Sequence, residues 1–144
     1  MTRRGPWSPS ETRAYLDGAR IPLKLACIGH DGTPVLASLW FLHREGSLWC
    51  ATQRTAAVAR HLERDDRCAF EVSGEDPPYR GVRGQGTARI DSQQGEKVLH
   101  ELLERYGHGG TRLADELSAN AEDEVAIEIE PRSLVTWDFT ERMS

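Results

Sequence analysis

Four consecutive polar residues, Thr52-Gln53-Arg54-Thr55, have the types and spacing of a small anion site. They stand between a predicted strand that ends at Thr52 and a predicted short helix over residues 56–63. Backbone N–H groups at a helix start favour an anion, and the planar guanidinium of Arg54 suits phosphate oxygens. Arg60 follows about one and a half helical turns later. The segment therefore predicts a phosphate site; the alternative is a surface helix capped by Thr55 with two solvated arginines.

The strand predicted over residues 34–42 offers a second candidate, because both of its faces are largely apolar. One face carries Val35, Ala37, Leu39 and Phe41, and the other carries Leu36, Ser38, Trp40 and Leu42. A strand in a free-standing antiparallel sheet usually has one wet face. We therefore expect this strand to be covered on both sides, by a barrel interior and by a ligand or partner subunit. A flat aromatic ligand along Ser38, Leu39 and Trp40 is one interpretation, and a core or interface tryptophan is the other.

Polar side chains on the strand predicted over residues 79–90 form a third candidate. Arg80, Arg83 and Gln85 share this strand and either face a partner or ligand or belong to an exposed face. The closely spaced glycines between residues 81 and 86 lie within a strand rather than between a strand and a helix. They therefore do not form a dinucleotide-binding fingerprint.

Hydrophobic periodicity predicts the elements that position these candidates. Ser8-Pro9-Ser10-Glu11 reads as a capped helix start, and residues 1–7 before it are expected to fray. Strands are predicted over residues 23–29, 34–42, 48–52, 68–73 and 79–90, and over a last stretch that Pro131 divides into 124–130 and 133–139. Further helices are predicted over residues 56–63, 95–106 and 111–120. About six short strands in hairpin order, with three or four helices, predict a mainly β fold: a small antiparallel barrel with flanking helices.

Length and composition exclude several function classes. The 144 residues predict one domain, and a net charge of −5 argues against general nucleic-acid binding. No apolar run approaches the roughly 20 residues of a membrane span. Three scattered cysteines without a secretory leader predict buried thiols in a reducing cytoplasm, and no Cys/His spacing indicates a metal site. Because no nucleophile motif or acid–base set is visible, the catalytic residues stay unassigned and a cofactor is expected to supply any chemistry.

The ordered segments LACIGHDGTPVLASLWFLHREGSLWCATQRT, HLERDDRCAF and YRGVRGQGTARI resemble the pyridoxamine 5′-phosphate oxidase-like split barrels, which bind flavins. The likeness is good over residues 21–90 and looser over the C-terminal VAIEIEPRSLVTWDF. It implies a six-stranded antiparallel split barrel filling residues 1–144. The N-terminal helix would lie in 1–20, the barrel strands and cofactor segment in 21–90, helices in 91–122 and C-terminal strands in 123–139.

The resemblance also implies a homodimer with two cofactor sites at its interface and a small-molecule substrate. Family members bind FMN or the deazaflavin F420, and a few bind haem; here FMN is the expected cofactor, F420 the alternative, and haem ranks below both. The ring would lie along Ser38 to Trp40 and the phosphate tail at Thr52 to Thr55. The expected cofactor-binding residues are Ser38, Leu39, Trp40, Thr52, Gln53, Arg54, Thr55, Arg60 and Arg83.

One departure from the family pattern concerns the phosphate. Many members carry Ser-x-Lys in the helix behind the phosphate, whereas the matching residues here are Ala56-Ala57-Val58. Arg54 and Arg60 are the candidate replacements for that lysine. The C-terminal sequence TWDFTERMS lacks the Arg/His signature of true pyridoxamine 5′-phosphate oxidases, so vitamin B6 synthesis is not expected. The sequence thus favours an FMN- or F420-dependent oxidoreductase, with a non-catalytic flavin, F420 or haem carrier or sensor as the alternative.

Overall fold

One curled sheet of eight strands organises the computed structural model, which describes residues 1–144. The strands are β1 (Thr2–Arg4), β2 (Leu23–Ile28), β3 (Pro34–Leu39), β4 (Leu42–Arg44), β5 (Ser47–Gln53), β6 (Arg67–Ser73), β7 (Arg80–Asp91) and β8 (Glu124–Asp138). The helices are α1 (Pro9–Gly18), α2 (Ala57–Arg64), α3 (Gly95–Arg105) and α4 (Arg112–Ser118), followed by a 3₁₀ turn at Ala121–Asp123. The sheet order is β3-β2-β6-β7-β8-β5-β4, with β1 added on β8. A mainly β, antiparallel split barrel with flanking helices is therefore confirmed, with two three-residue strands beyond the expected six.

The main core fills the concave side of this sheet. Alternating residues of β2, β6, β7 and β8 point into it, among them Leu25, Phe70, Val82 and Ile127, each at most 3% exposed. Helix α2 packs Leu62 into the same cluster. The alternation of β2 and β6 and the helical spacing of α2 were readable from the sequence, so the core matches the predicted pattern.

The N-terminus is more ordered than the sequence indicates, and the expectation that residues 1–7 fray is wrong. Strand β1 pairs in parallel with residues 133–135 of β8. The reason is that β5 covers β8 only as far as Ile129, so the second half of β8 has a free edge that β1 satisfies. The predicted cap is confirmed, since the Ser8 hydroxyl accepts from the Glu11 N–H at 3.2 Å and Glu11 Oε1 accepts from the Ser8 N–H at 3.0 Å.

Two other strand boundaries differ from the prediction. The strand over residues 34–42 ends at Leu39, because the chain turns a corner at Trp40 and Phe41 and then pairs with β5 instead of β2. In contrast, Pro131 does not interrupt β8. It lies opposite Gly86, where the β7–β8 register shifts, and an irregularity of this kind tolerates a residue that lacks a backbone N–H.

Arg105, in the last turn of α3, ties that helix to α1. Its guanidinium donates to the carbonyl oxygens of Leu16 at 2.8 Å, Ala19 at 2.7 Å and Asp17 at 3.2 Å. It also lies over the Phe41 ring, with Cζ 5.2 Å from the ring centroid. One cation therefore satisfies the carbonyls at the C-terminal end of α1 and fixes the corner that follows β3.

Replacing Arg105 with Met should lower the free energy of unfolding by about 2 kcal/mol, because partly buried carbonyls lose a charged donor while the apolar stem is kept. Urea denaturation measures this change. The control is Arg112→Met, whose side chain is 93% exposed and should change stability by less than about 0.5 kcal/mol. Equal stability of the Arg105 and Arg112 variants would contradict the bridging role.

Candidate functional site

A cleft of about 350 Å³ opens where the corner after β3, the end of β5 and helices α3 and α4 meet. Five of the nine residues predicted to bind a cofactor line it: Ser38, Leu39, Trp40, Thr52 and Gln53. The other lining residues are Pro22, Ala51, Leu99, Leu102, Leu117 and Glu124. The cleft thus combines an apolar wall, to which the end of β3, the corner after it, α3 and α4 all contribute, with a polar end at β5 and β8.

Trp40 forms a fixed flat part of this wall. Its ring stacks on Tyr106, with centroids 5.0 Å apart and planes 13° apart, and on His108, at 5.3 Å and 11°. Tyr106 is itself anchored, because its hydroxyl donates to the Ile21 carbonyl at 2.9 Å and accepts from the Phe41 N–H at 3.2 Å. Burial raises the pKa of Tyr106, so the hydroxyl stays protonated and keeps its role as a donor. The indole is therefore held by two rings rather than free to rotate.

The polar end of the cleft is a side-chain pair from two neighbouring strands. Gln53 and Glu124 are opposite each other in the β5–β8 register, and Gln53 Nε2 donates to Glu124 Oε1 at 2.9 Å. Glu124 is 5% exposed, and its second oxygen, Oε2, is buried without a hydrogen-bond partner. Burial raises the pKa of this carboxyl, and the hydrogen bond from Gln53 opposes that shift only in part.

Sequence reasoning did not select Glu124. In the sequence it is the last of three consecutive acidic residues, Glu122-Asp123-Glu124, before an apolar strand, which is also what a solvated strand end looks like. Its burial depends on α3, whose first residue, Gly95, packs so closely on the Glu124 carbonyl that no Cβ would fit there. Such a contact between distant segments leaves no local pattern to read.

The predicted phosphate segment lies beside the cleft, at the start of α2. The sequence suggested Thr55 as the cap of this helix, but the N-cap is Ala56, whose side chain cannot accept a hydrogen bond. The first N–H groups of α2 therefore have no side-chain acceptor, which is the arrangement that favours an anion. Arg54 is 54% exposed, with Nη2 3.8 Å from Asp123 Oδ1 and 3.5 Å from the Glu122 carbonyl.

The remaining predicted contacts lie outside the cleft. Thr55, which precedes α2, and Arg60, which lies on it, are both exposed. Arg83 lies on β7, where its guanidinium is 5.2 Å from the centroid of the Trp137 ring. Val58, which stands where the family resemblance implies a lysine, is 7% exposed and packs into the main core with Leu62.

No group of three or more His, Cys, Asp or Glu side chains is placed to hold a metal ion. None of the helices has the length and apolar character needed to cross a membrane. All three cysteines are buried and unpaired, and burial raises the pKa of the Cys68 thiol to about 12.

Comparison with known proteins identifies a matching family model and solved structures of similar fold. The family model for pyridoxamine 5′-phosphate oxidase matches residues 10–138. The conserved hypothetical protein Rv2991 from Mycobacterium tuberculosis is 27% identical, with a TM-score of 0.79 over 92% of this chain and 86% of that one. No curated protein matches the sequence significantly.

Two further solved structures share the fold at lower identity. An F420 reductase is 23% identical, with a TM-score of 0.75 over 88% of this chain and 98% of that one. The haem storage protein HutZ from Vibrio cholerae is 19% identical, with a TM-score of 0.64 over 87% of this chain and 89% of that one. Proteins described by different ligands thus share this architecture, and the fold by itself does not select among them.

The raised pKa of Glu124 makes stability depend on pH. The folded state holds the Glu124 proton more tightly than the unfolded state, so the stabilisation from this group is complete below the ordinary value of 4.5 and is lost as pH rises through the folded pKa. Glu124→Gln removes the titratable carboxyl and should flatten that part of the profile of stability against pH. Urea denaturation at several pH values should therefore show that the stability of the variant, relative to that of the wild type, increases from pH 4.5 upward. Glu122→Gln, an exposed neighbour, should keep the wild-type profile, and a parallel profile for Glu124→Gln would contradict the assignment.

Proposed function

The chain belongs to the pyridoxamine 5′-phosphate oxidase family, and from that premise we propose that it is an oxidoreductase that uses FMN or F420 and a small substrate. The observation that supports this proposal most is the convergence of Ser38, Leu39, Trp40, Thr52 and Gln53 on one cleft beside an uncapped helix start. A flat ring and an anionic tail are the two ligand features that such a site would recognise.

The residues present fit such a cofactor, although its phosphate would be held by groups other than the lysine that the family resemblance implies. The apolar wall at Leu39 and Trp40 suits a ring, and the N–H groups of α2 with Arg54 replace the missing lysine at the phosphate. Arg54 is available because its contact with Asp123 is long and solvent-exposed, a geometry that contributes little stability. Haem ranks lower because no His, Cys, Met or Tyr side chain lines the cleft to ligate iron.

A bound flavin or deazaflavin supplies hydride chemistry, and the protein supplies orientation and a partly dry environment. The protein's own contribution is then a rigid indole at Trp40 and a polar end at Gln53 and Glu124. The alternative, a non-catalytic carrier or sensor, is supported by Val58, because the cationic phosphate ligand that the family resemblance implies is missing at this position. Turnover of the bound cofactor with a nicotinamide or F420 reductant distinguishes the two functions. The unpaired thiols support a cytoplasmic location.

We also propose that a second copy of the chain covers the convex face of the sheet. A row of outward side chains crosses five strands there, from Leu36 through Ala26, Ala69 and Gln85 to Ser133. Leu36 is 76% exposed, and the two alanines allow another backbone to approach closely. Ser38, two residues along the same face of β3, also lines the cleft, so a dimer through this face would place the two cofactor sites at the interface.

Fluorescence titration with FMN and with F420 tests the cofactor assignment. Wild-type protein should bind at least one of them at micromolar concentration. Arg54→Ala should weaken binding about tenfold, since a charged donor to the phosphate is lost. The control is Arg89→Ala, because Arg89 is already paired with Glu128 at 2.6 Å and Asp91 at 3.1 Å, and its loss should leave the affinity unchanged. Binding of neither cofactor would refute the proposed function, and equal affinities of the two variants would remove Arg54 from the site.

Light scattering at micromolar concentration should give the mass of a dimer. Leu36→Asp should shift the protein towards the monomer, because it places a charge on the face that is buried between copies. Leu113→Asp makes the same change at a leucine on α4 that is 37% exposed and should leave the mass unaltered. A monomeric wild-type protein, or a dimer unaffected by Leu36→Asp, would show that this face is not the interface.

A further inference from the structure

A row of charged side chains crosses the convex face of the sheet, beside the row that runs from Leu36 to Ser133. Lys24, Glu71 and Arg83 stand directly opposite one another in the β2–β6 and β6–β7 registers. Their neighbours along each strand are buried in the core, so all three side chains point outward. The sign of the charge therefore alternates across three adjacent strands in the middle of this face.

Within the chain, each of these side chains contacts a neutral group rather than another charge of the row. Lys24 Nζ donates to a serine hydroxyl of β3 at 3.0 Å, and Glu71 Oε2 accepts from a serine hydroxyl of its own strand at 3.1 Å. The Arg83 guanidinium lies over the Trp137 ring, 5.2 Å from its centroid. The ionic interactions of the row are thus available to another molecule that brings charges in a complementary order.

The symmetry of a dimer decides which of these charges meet. On this half of the sheet the strand order is β3-β2-β6-β7-β8-β1, so the middle of the convex face lies between β6 and β7. In a two-fold symmetric interface, a contact of residue i with residue j of the partner is matched by a contact of j with i. A two-fold axis that runs parallel to the strands along this middle line sets β6 of one copy against β7 of the other. It therefore places Glu71 opposite the partner's Arg83, and does so twice.

The other simple arrangement is disfavoured by charge. A two-fold axis running along the charged row would bring each of its residues against the same residue of the second copy, so that Glu71 meets a glutamate and Arg83 meets an arginine. Such juxtaposed like charges suppress association. The axis parallel to the strands also keeps the strands of the two packed sheets aligned, which is the common geometry when two sheets pack face to face.

We propose that Glu71 of each copy forms an ion pair with Arg83 of the partner subunit across a two-fold axis between β6 and β7. The two symmetry-related pairs fix the register in which the convex faces meet, while Leu36, Ala26 and Ala69 in the neighbouring row supply apolar contact. The inference rests on the dimer proposed above and names the charges that select a second copy of this chain as the partner. It also gives a role to Arg83, which lies outside the cofactor cleft.

Mixing two charge-reversed proteins tests this pairing. Glu71→Arg sets two arginines against each other at both pairs, and Arg83→Glu sets two glutamates against each other. Each variant by itself should therefore have a dimer Kd at least about a hundredfold higher than that of the wild type. In a mixed dimer of the two variants, both pairs again join a glutamate to an arginine, so an equimolar mixture should recover a Kd within about tenfold of the wild-type value.

Sedimentation equilibrium measures these dimer Kd values, and a cleavable size tag on one variant identifies the mixed dimer by mass. The mixture is needed because Glu71 and Arg83 are also neighbours within one chain. Loss of a pair within the chain cannot be repaired by a second protein, whereas loss of a pair between copies can. The double variant, with Glu71→Arg and Arg83→Glu in one chain, should also dimerise like the wild type, which keeps the pairing testable if a single variant does not fold.

Glu116→Arg and Arg112→Glu are the matched controls. These two residues form an exposed pair on α4, with Arg112 Nε 3.3 Å from Glu116 Oε1, and α4 packs on α3 rather than on the convex face. Each reversal makes the same change of charge and should alter the dimer Kd less than about twofold. Dissociation of these control variants would show that the effect does not belong to the convex face and would refute the pairing.

The outcomes separate the pairing from the other proposals. A monomeric wild-type protein would overturn both the dimer and the pairing. A dimer Kd unchanged by Glu71→Arg and Arg83→Glu, variants that stay monomeric when mixed, or a monomeric double variant would overturn the pairing and leave the convex-face dimer standing. Titration of the wild-type protein with FMN and F420 is a separate measurement, so the cofactor assignment can fail while the pairing stands.

Discussion

The long antiparallel pairing of β7 and β8 is the interaction on which the rest of the structure depends. These strands of 12 and 15 residues stay paired along their length, and β8 also supplies the edges to which β5 and β1 attach. Because β8 is continuous through Pro131, one strand runs from the cleft at Glu124 to the N-terminal segment at Trp7, whose indole N–H donates to Asp138 at 3.1 Å. A break in β8 would separate the two ends of the sheet and remove the partner of Gln53.

The helices then act as a frame for the cleft rather than as part of the sheet. Helix α3 packs on β5 and β8, and its last turn reaches α1 through Arg105. The same arginine lies over Phe41, the residue next to Trp40. The flat wall of the cleft is thus held by a chain of contacts that begins at the C-terminal end of α1.

Local patterns predicted most of the fold and about half of the candidate site. Alternation in β2, β6 and β7, the capping box at Ser8 and the helical spacing of α3 are properties of neighbouring residues, and the structure agrees with them. The parallel pairing of β1, the corner at Trp40 and the burial of Glu124 depend on segments that are distant in sequence. Thr55 does not cap α2 for a local reason, since the helix begins at Ala57, one residue later than a cap at Thr55 requires.

The burial of Val58 limits how a phosphate could be held at the start of α2. Its side chain fills part of the core beside Leu62, so restoring a lysine at this position would force an ammonium into a packed apolar cluster or displace its neighbours. A lysine at this position is therefore expected to destabilise the fold. A phosphate bound at the start of α2 would therefore depend on backbone amides and on exposed arginines such as Arg54, not on a cation at position 58.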